Sequence, residues 1–253
     1  MKTEWDYTKL ADAYLKRPNY SKEAIDKMLD IAGLKNARGG GIICDVGAGV
    51  AHLTIALAKY GFKICAVEPN DTMRANGIKR TLEYKNVTWF EGIGEHTGQP
   101  SSIFDLVTFG SSFNVTNRQE ALRETQRILK PDGWFACMWN HRDLSDPIQI
   151  KIEDIIKSYV KDYNYGIRRE DQTDVIKSSG CFENIQSFVG KVVHSVPVED
   201  VIEGWRSHCT LFRQAGDDFS SIIEDISYML KSLNKEFINV PYETNVWMAR
   251  VIK

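Results

Sequence analysis

Two carboxylates and a glycine turn carry the clearest chemistry in this chain. In "ICDVGAGVAHLT", residues 43–54, Asp45 stands two places ahead of Gly47-Ala48-Gly49, and Glu68 closes "CAVEP" about twenty residues further on. An apolar run, a Gly-x-Gly turn and a helical pattern place backbone N–H groups at a helix N-terminus. In an open parallel sheet that is where ligands gather. Glu68 at the end of the next strand can accept hydrogen bonds from both hydroxyls of a ribose, a feature shared by dinucleotide and adenosyl sites. Asp45 separates the two, because a carboxylate there would repel a pyrophosphate but suits an α-ammonium. Singly, Asp45 could cap the following helix and Glu68 could be a solvated strand end. Together, at this spacing, they fit a ligand with adenosine at one end and a zwitterionic methionine at the other: S-adenosylmethionine.

Other candidates lie further along. His141 follows Trp139-Asn140 at the end of a strand whose carboxyl edge should border the reaction crevice, and His208 sits in "WRSHC". Either is a candidate general base that could take a proton from an acceptor hydroxyl, with a structural hydrogen bond as the alternative at each. Asn140 and Arg142 beside His141, with Trp205, Arg206 and Phe212 beside His208, would make a substrate chamber with apolar walls and cationic groups. Trp205 and Phe212 stand at a spacing that would present them from one helix face. His52 and His96 read as surface or lining residues.

These residues need a scaffold, and the chain supplies it by alternation. "GIICDV", "AHLTIALAKY", "FKICAVE", "DTMRANGIKRTLEY", "NVTWFEG", "FDLVTFG", "RQEALRETQRILK" and "WFACMWN" swap short β-type runs with helical patterns, which implies a parallel sheet wrapped by helices. Ile42–Val46, Ile64–Val67 and Leu106–Phe109 are apolar on both parities, as strands covered on both faces are. "KPDG" should end the helix Arg118–Lys130, with a strand from Trp134. Helices are expected at Trp5–Lys16 and at Ser21–Leu34, the second opened by a Ser21 cap. Helices are also expected at about 147–163 and 170–179, followed by a strand in "CFENIQSFVGKVV" and a last one in "TNVWMARVI". Two helical patterns, from Val198 to about Phe237, fill the gap between these strands.

The 253 residues, 43% hydrophobic and 26% charged, suit one domain with additions. A net charge of −2 and the lack of a Lys/Arg block argue against nucleic acid as partner. Five cysteines without CxxC spacing suggest no disulfide and no metal site. No run of eighteen apolar residues is present, and "MKTEWDYTKLADAY" has no signal-peptide pattern, so the expected setting is the cytoplasm, away from membranes.

Through "DVGAGVAHLT", "AVEPNDTMR", "NVTWFEGIGEHTG", "FDLVTFGSSFN", "ETQRILKPDGWFACMWNHRD" and "VPYETNVWMARVI", the chain resembles the class I S-adenosylmethionine-dependent methyltransferases, in the small-molecule group often called type 11. The resemblance runs from about residue 5 to the end and is most specific over residues 42–143. It implies a Rossmann-like, doubly wound α/β fold with a seven-stranded sheet whose last strand is antiparallel. N-terminal helices (1–36) and a helical cap insertion (198–239) would cover the carboxyl edge. It also implies that Asp45, Gly47, Ala48 and Gly49 contact the methionine part and Glu68 the ribose. Pro69, Asn70 and Met73 would line the adenine side, with Gly94 and Glu95 at the family's acidic motif. Ser111 and Asn114 would border the transfer chamber, where many relatives carry His-Trp in place of Asn114-Val115. Tyr7, Tyr14, Arg17 and Tyr20 fall in the family's N-terminal cover. The expected activity is methyl transfer to an oxygen, less favourably a nitrogen, of a small-molecule acceptor by a monomer or homodimer. An RNA methyltransferase and a non-catalytic, regulatory S-adenosylmethionine-binding protein are the alternatives.

Overall fold

The structure is a computed structural model that describes residue 8, residues 11–35 and residues 40–253. Its centre is a seven-stranded sheet in the order β3-β2-β1-β4-β5-β7-β6, formed by β1 (Ile42–Val46), β2 (Lys63–Val67), β3 (Val87–Phe90), β4 (Phe104–Gly110), β5 (Leu129–Arg142), β6 (Phe182–Pro197) and β7 (Phe237–Val251). The pairs among β1 to β5 are parallel, whereas β7 runs antiparallel to both β5 and β6. This is the doubly wound arrangement with one reversed strand.

Alternation along each strand explains why helices cover both faces. Ile43, Ile64, Leu106, Ala136 and Met138 face one way, against α2 (Lys22–Ile31) and α3 (His52–Ala58). Cys44, Val46, Val107, Phe109, Phe135 and Cys137 face the other, against α5 (Arg118–Ile128) and α7 (Thr173–Ser178). Both sets are apolar and buried, so neither face of these strands could be left to water. α4 (Asp71–Arg80) follows β2, opened by Asn70, whose side chain accepts from the Met73 amide at 3.0 Å.

Several expected boundaries move. Of the first expected helix, Trp5–Lys16, the described residues show the short α1 (Ala11–Tyr14); Tyr7 lies outside the described residues, as do residues 1–6, 9, 10 and 36 of the expected N-terminal cover. The Ser21 cap of α2 is present, its hydroxyl accepting from the Ala24 amide at 3.4 Å. "KPDG" does not separate α5 from β5: the strand begins at Leu129, and Asp132, at φ 67°, absorbs the irregularity before regular pairing resumes at Trp134. The insertion between β6 and β7 holds three α-helices rather than two, namely α8 (Val198–Arg206), α9 (Cys209–Ala215) and α10 (Phe219–Ser232). Their buried side chains share one cluster with Ile152 and Ile156 of α6 (Pro147–Tyr159) and with Ile238, Val240 and Tyr242 of β7. The cap therefore has a hydrophobic core of its own, into which α6 is recruited.

Candidate functional site

The carboxyl ends of β1, β2, β4 and β5 open into a cavity of about 690 Å³, roofed by the N-terminal segment, the cap and a short 3-10 turn at Gly166–Arg169. At the end of β1 the chain turns sharply. Gly47 takes φ 68°, and its N–H and that of Ala48 both donate to the Val67 carbonyl of β2. A Cβ on Gly47 would lie 2.4 Å from the Ser112 Cβ, so the turn has room only for glycine. Ser112 holds this approach, donating its hydroxyl to the Val46 carbonyl at 2.5 Å.

Asp45 projects from the last turn of β1 toward α3 and is 1% exposed. The Thr54 hydroxyl of α3 donates to one carboxylate oxygen at 2.6 Å and that of Thr108 on β4 to the other at 3.0 Å. Burial outweighs these donors and pushes the carboxyl up to about 6. No cationic side chain among the described residues pairs with it, so an ammonium at this wall would meet an unspent counter-charge. Glu68, at the end of β2, accepts from the Gly49 amide through one oxygen and from the Asn70 amide through the other, each at 2.9 Å. It thus fixes the glycine turn to the start of α4 while keeping a lone pair on each oxygen for a diol. Burial raises its carboxyl above the ordinary range. This donor set fits the zwitterionic and ribose parts of S-adenosylmethionine.

The remaining residues expected around the cofactor also lie on the cavity wall: Tyr14, Arg17, Tyr20, Ala48, Pro69, Asn70, Met73, Gly94, Glu95 and Ser111. Glu95 accepts from the Asn117 amide that precedes α5, which ties the β3–β4 connection to the site. The Tyr20 hydroxyl meets the Ser111 hydroxyl at 3.1 Å, and burial raises the Tyr20 phenol. Arg17 stacks over Tyr14 at 3.8 Å and donates to the Ser207 hydroxyl at 3.0 Å and carbonyl at 2.6 Å, joining the N-terminal segment to the cap.

The acceptor half departs more from expectation. Asn114 and Asn140 reach the wall, but Asn114 accepts from the Trp139 indole at 2.8 Å. Asn140 is spent on both sides, donating to the Asn19 carbonyl at 2.9 Å and accepting from Thr244 at 2.5 Å. His141 does not line the cavity. Its Nε2–H donates to the Arg168 carbonyl at 2.9 Å, and its Nδ1 accepts from the Asn245 amide at 3.2 Å. Burial and the nearby Arg169 and Arg168 charges depress it to about 3, so it is a neutral strut with no free lone pair for a base.

His208 does line the cavity, yet as the cap of α9: its Nδ1 accepts from the Leu211 amide at 3.2 Å and its ring stacks on Trp205. Burial depresses it well below the ordinary imidazole range. With Nδ1 accepting, the proton of the neutral ring belongs on Nε2, which can donate but not take a proton. The helix break at Ser207-His208 also parts Trp205 from Phe212. Trp205 is buried behind the wall under Arg142, while Phe212 is 45% exposed against Phe219. Arg206 turns outward to Glu203 at 2.8 Å. Neither Phe212 nor Arg206 reaches the cavity.

Two wall residues that pattern reading passed over are Arg168 and Tyr242. Arg168 sits in "YGIRRED", a glycine-opened turn with no periodicity to mark it, and Tyr242 sits in a strand whose length beyond "TNVWMARVI" the apolar pattern did not show.

Comparison with known proteins bears on the same half of the chain. A family model described as "Methyltransferase domain" matches residues 44–137. A ubiquinone/menaquinone biosynthesis C-methyltransferase of Zymomonas mobilis is 31% identical over 159 residues, 54% of this chain and 66% of that protein. An uncharacterised methyltransferase of Mycobacterium tuberculosis is 29% identical over 127 residues, 50% of this chain and 48% of its own length. The chain thus spans from about half to just under two thirds of the length of these curated relatives. Among solved structures, a putative type II methyltransferase from Anaeromyxobacter dehalogenans superposes with a TM-score of 0.62 at 16% identity, covering 93% of this chain and 99% of that one. Fold, glycine turn, paired carboxylates and matching domain agree: residues 44–137 match the methyltransferase domain, and the chain is similar to the class I S-adenosylmethionine-dependent methyltransferases.

Proposed function

We propose that the protein transfers the methyl group of S-adenosylmethionine to an oxygen, or less favourably a nitrogen, of a small-molecule acceptor. One observation carries this reading: a single cavity is lined both by Asp45, the glycine turn and Glu68 and by Asn114, Trp139, Arg142, Arg168, His208 and Tyr242, more wall than the cofactor's ammonium and ribose require. A cofactor-binding protein without transfer would need only the first half.

The cofactor supplies an activated methyl on a sulfonium. Asp45 holds the ammonium end and Glu68 the ribose, and Tyr20 lines the same wall, where an aromatic ring favours a nearby cation. The acceptor's lone pair forms the new bond to the methyl carbon while the carbon–sulfur pair returns to sulfur. Any proton on the nucleophile leaves to water, because neither His141 nor His208 offers a lone pair to it. Alignment of the two reactants is then the main contribution of the protein. This favours an acceptor atom that already carries a free lone pair at neutral pH. The Zymomonas relative is named a C-methyltransferase, and an electron-rich carbon would enter the same displacement.

The cavity's size suits a small acceptor, and no continuous basic stripe marks the sequence for RNA. Among the described residues no helix is long and apolar enough to cross a membrane. The five cysteines are all free, which supports a cytoplasmic setting. A monomer or homodimer is the assembly this reading carries, checked by light scattering.

Calorimetric titration with S-adenosylmethionine, followed by a search for labelled product in metabolite extracts, tests the function. Binding with a labelled small molecule supports it. Binding without any product in extract or RNA would favour a regulatory protein, and label in RNA would favour the RNA methyltransferase. Glu68→Ala should weaken cofactor binding by about 1.5–3 kcal/mol for each hydrogen bond lost to the charged acceptor; unchanged affinity refutes the ribose assignment.

A further inference from the structure

We propose that Arg142 and Arg168 clamp an oxyanion handle of the acceptor, so that the substrate is a small molecule with an apolar body and a carboxylate or phosphate that is not itself the methylated group. The inference rests on the methyltransferase reading of the same cavity and adds the substrate's class.

Arg142 and Arg168 both line the cavity, one from the end of β5 and one from the 3-10 turn. The Arg142 Cζ lies over Trp205, 4.0 Å from the ring centre, and 5.7 Å from that of Tyr242. Among the described residues neither arginine has a carboxylate partner, and no terminal guanidinium nitrogen of either donates to a protein atom. Their Nε atoms are shut off from solvent without an acceptor. Burial and the neighbouring Arg17 lower Arg168 to about 10, which leaves it charged at neutral pH. Like charges gathered at a cavity wall are unfavourable until an anion joins them, and the planar forks of arginine suit carboxylate and phosphate oxygens.

The pair is also held in place. The His141 ring donates to the Arg168 carbonyl, and the Arg169 guanidinium donates to the Arg142 carbonyl at 3.1 Å, so the strand end and the turn lock each other's backbone. A second, independent sign is His208 on the same wall. It is 2% exposed, and once its Nδ1 caps α9 its Nε2–H has no acceptor. Trp139 and Tyr242 supply apolar surface for the rest of the molecule.

The cofactor's own carboxylate is a poor match for this clamp. Asp45 and the glycine turn fix the methionine end on β1, whereas Arg142 issues from β5, two strands away across β4. An oxyanion gripped by two guanidinium groups is a weakened nucleophile, because the hydrogen bonds stabilise the lone pairs that would attack. The methyl therefore goes to another atom of the acceptor.

The test holds the protein saturated with S-adenosylhomocysteine and titrates inorganic phosphate, phenyl phosphate, benzoate and uncharged benzyl alcohol, read by calorimetry, on wild type, Arg142→Gln and Arg168→Gln. Expected is a preference for phenyl phosphate or benzoate over benzyl alcohol of about tenfold or more, lost in either variant. Which anion wins tells phosphate from carboxylate, and inorganic phosphate reports the handle without a body. Equal binding of charged and neutral probes, or a preference that survives in both variants, overturns the clamp. So does a tenfold loss of S-adenosylhomocysteine affinity in the variants with 5′-methylthioadenosine affinity intact, which would assign the arginines to the cofactor's carboxylate. If Arg168→Gln does not fold, Arg142→Gln and Arg142→Lys decide, the lysine keeping charge but losing the fork. Failure of wild type to bind S-adenosylhomocysteine would sink the methyltransferase reading, a result separate from any of these.

Discussion

Replacing Asp45 with asparagine should make the ligand-free protein more stable at pH 7 and a poorer binder of its cofactor. The carboxyl moves from its ordinary 3.8 to about 6 because it is 1% exposed, and the hydroxyls of Thr54 and Thr108 recover only part of the lost hydration. At 1.36 kcal/mol for each tenfold in proton affinity, keeping it ionised costs about 3 kcal/mol. The folded value lies above the unfolded one, so the stability it contributes is complete below about pH 4 and lost as pH rises through about 6. Asparagine removes that loss, less what its amide nitrogen gives up in facing one of the two hydroxyls. The net gain should be about 1–3 kcal/mol at pH 7, or roughly 3–10 °C in melting temperature, and close to nothing at pH 4.

Ligand affinity moves the other way. An ammonium beside Asp45 favours the ionised form, so wild-type affinity for S-adenosylhomocysteine should climb between about pH 4.5 and 6.5, whereas that of Asp45→Asn stays flat and lies about ten- to a hundredfold lower at pH 7. Denaturant unfolding with and without ligand, alongside calorimetry at three pH values, reads both effects. A variant less stable than wild type at pH 7, together with a flat wild-type affinity profile, would show that the carboxylate is already compensated inside the protein and does not face the ammonium.

Gly47→Ala forces a side chain into φ 68° and onto Ser112, so denaturant unfolding should show a loss of about 2 kcal/mol or more, partly restored by Ser112→Gly; an unchanged midpoint refutes the close approach. His141→Ala should cost about 1–3 kcal/mol of stability and raise the acceptor KM while leaving the shape of the kcat–pH profile intact; a lost basic or acidic limb would restore the histidine as a base. Arg17→Ala removes both hydrogen bonds to Ser207, and hydrogen exchange across residues 11–20 should quicken in the ligand-free protein; unaltered exchange would show that the remaining ties, Lys16 to Asp200, His52 to Tyr14 and Asn140 to Asn19, secure the segment without Arg17.

What the sequence revealed follows a physical division. The half of the cavity proposed for the cofactor was legible as geometry because each of its residues answers to a local rule. Asp45 is the penultimate residue of a strand, Gly47 must take a left-handed turn, Glu68 directly follows the next strand, and Asn70 caps a helix. Such constraints leave fixed offsets in a linear pattern. The sheet was legible for the same reason, since apolar residues on both parities admit only a covered strand. The acceptor half obeys no local rule. Trp205 and Phe212 look equivalent at helical spacing until His208 starts a new helix between them, and the difference lies in a side chain accepting one backbone N–H. His141 looked like a base because it stands at the right end of the right strand. Only the three-dimensional pairing with Arg168 and Asn245 shows both its nitrogens in use.

That division bears on how specificity is set. The floor of the cavity rests on β1, β2 and β4, whose ends are fixed by neighbouring strands through regular pairing. The roof has no strand pairing; beyond the hydrophobic cluster the cap shares with α6 and β7, it is held by cross-ties: Arg17 to Ser207, Lys16 to Asp200, Asn140 to Asn19, and His141 to the turn that carries Arg168. Each joins two segments more than twenty residues apart, and each is a side-chain contact, about 0.5–1.5 kcal/mol net for a neutral hydrogen bond and up to about 3 kcal/mol where a charge takes part. Substitutions among the tying residues can therefore reposition Arg168 against Arg142, which β5–β7 pairing holds, without disturbing Asp45 or Glu68. A roof built this way lets the acceptor change while the cofactor machinery stays constant, and it places the determinants of the acceptor in residues whose sequence neighbourhoods carry no motif.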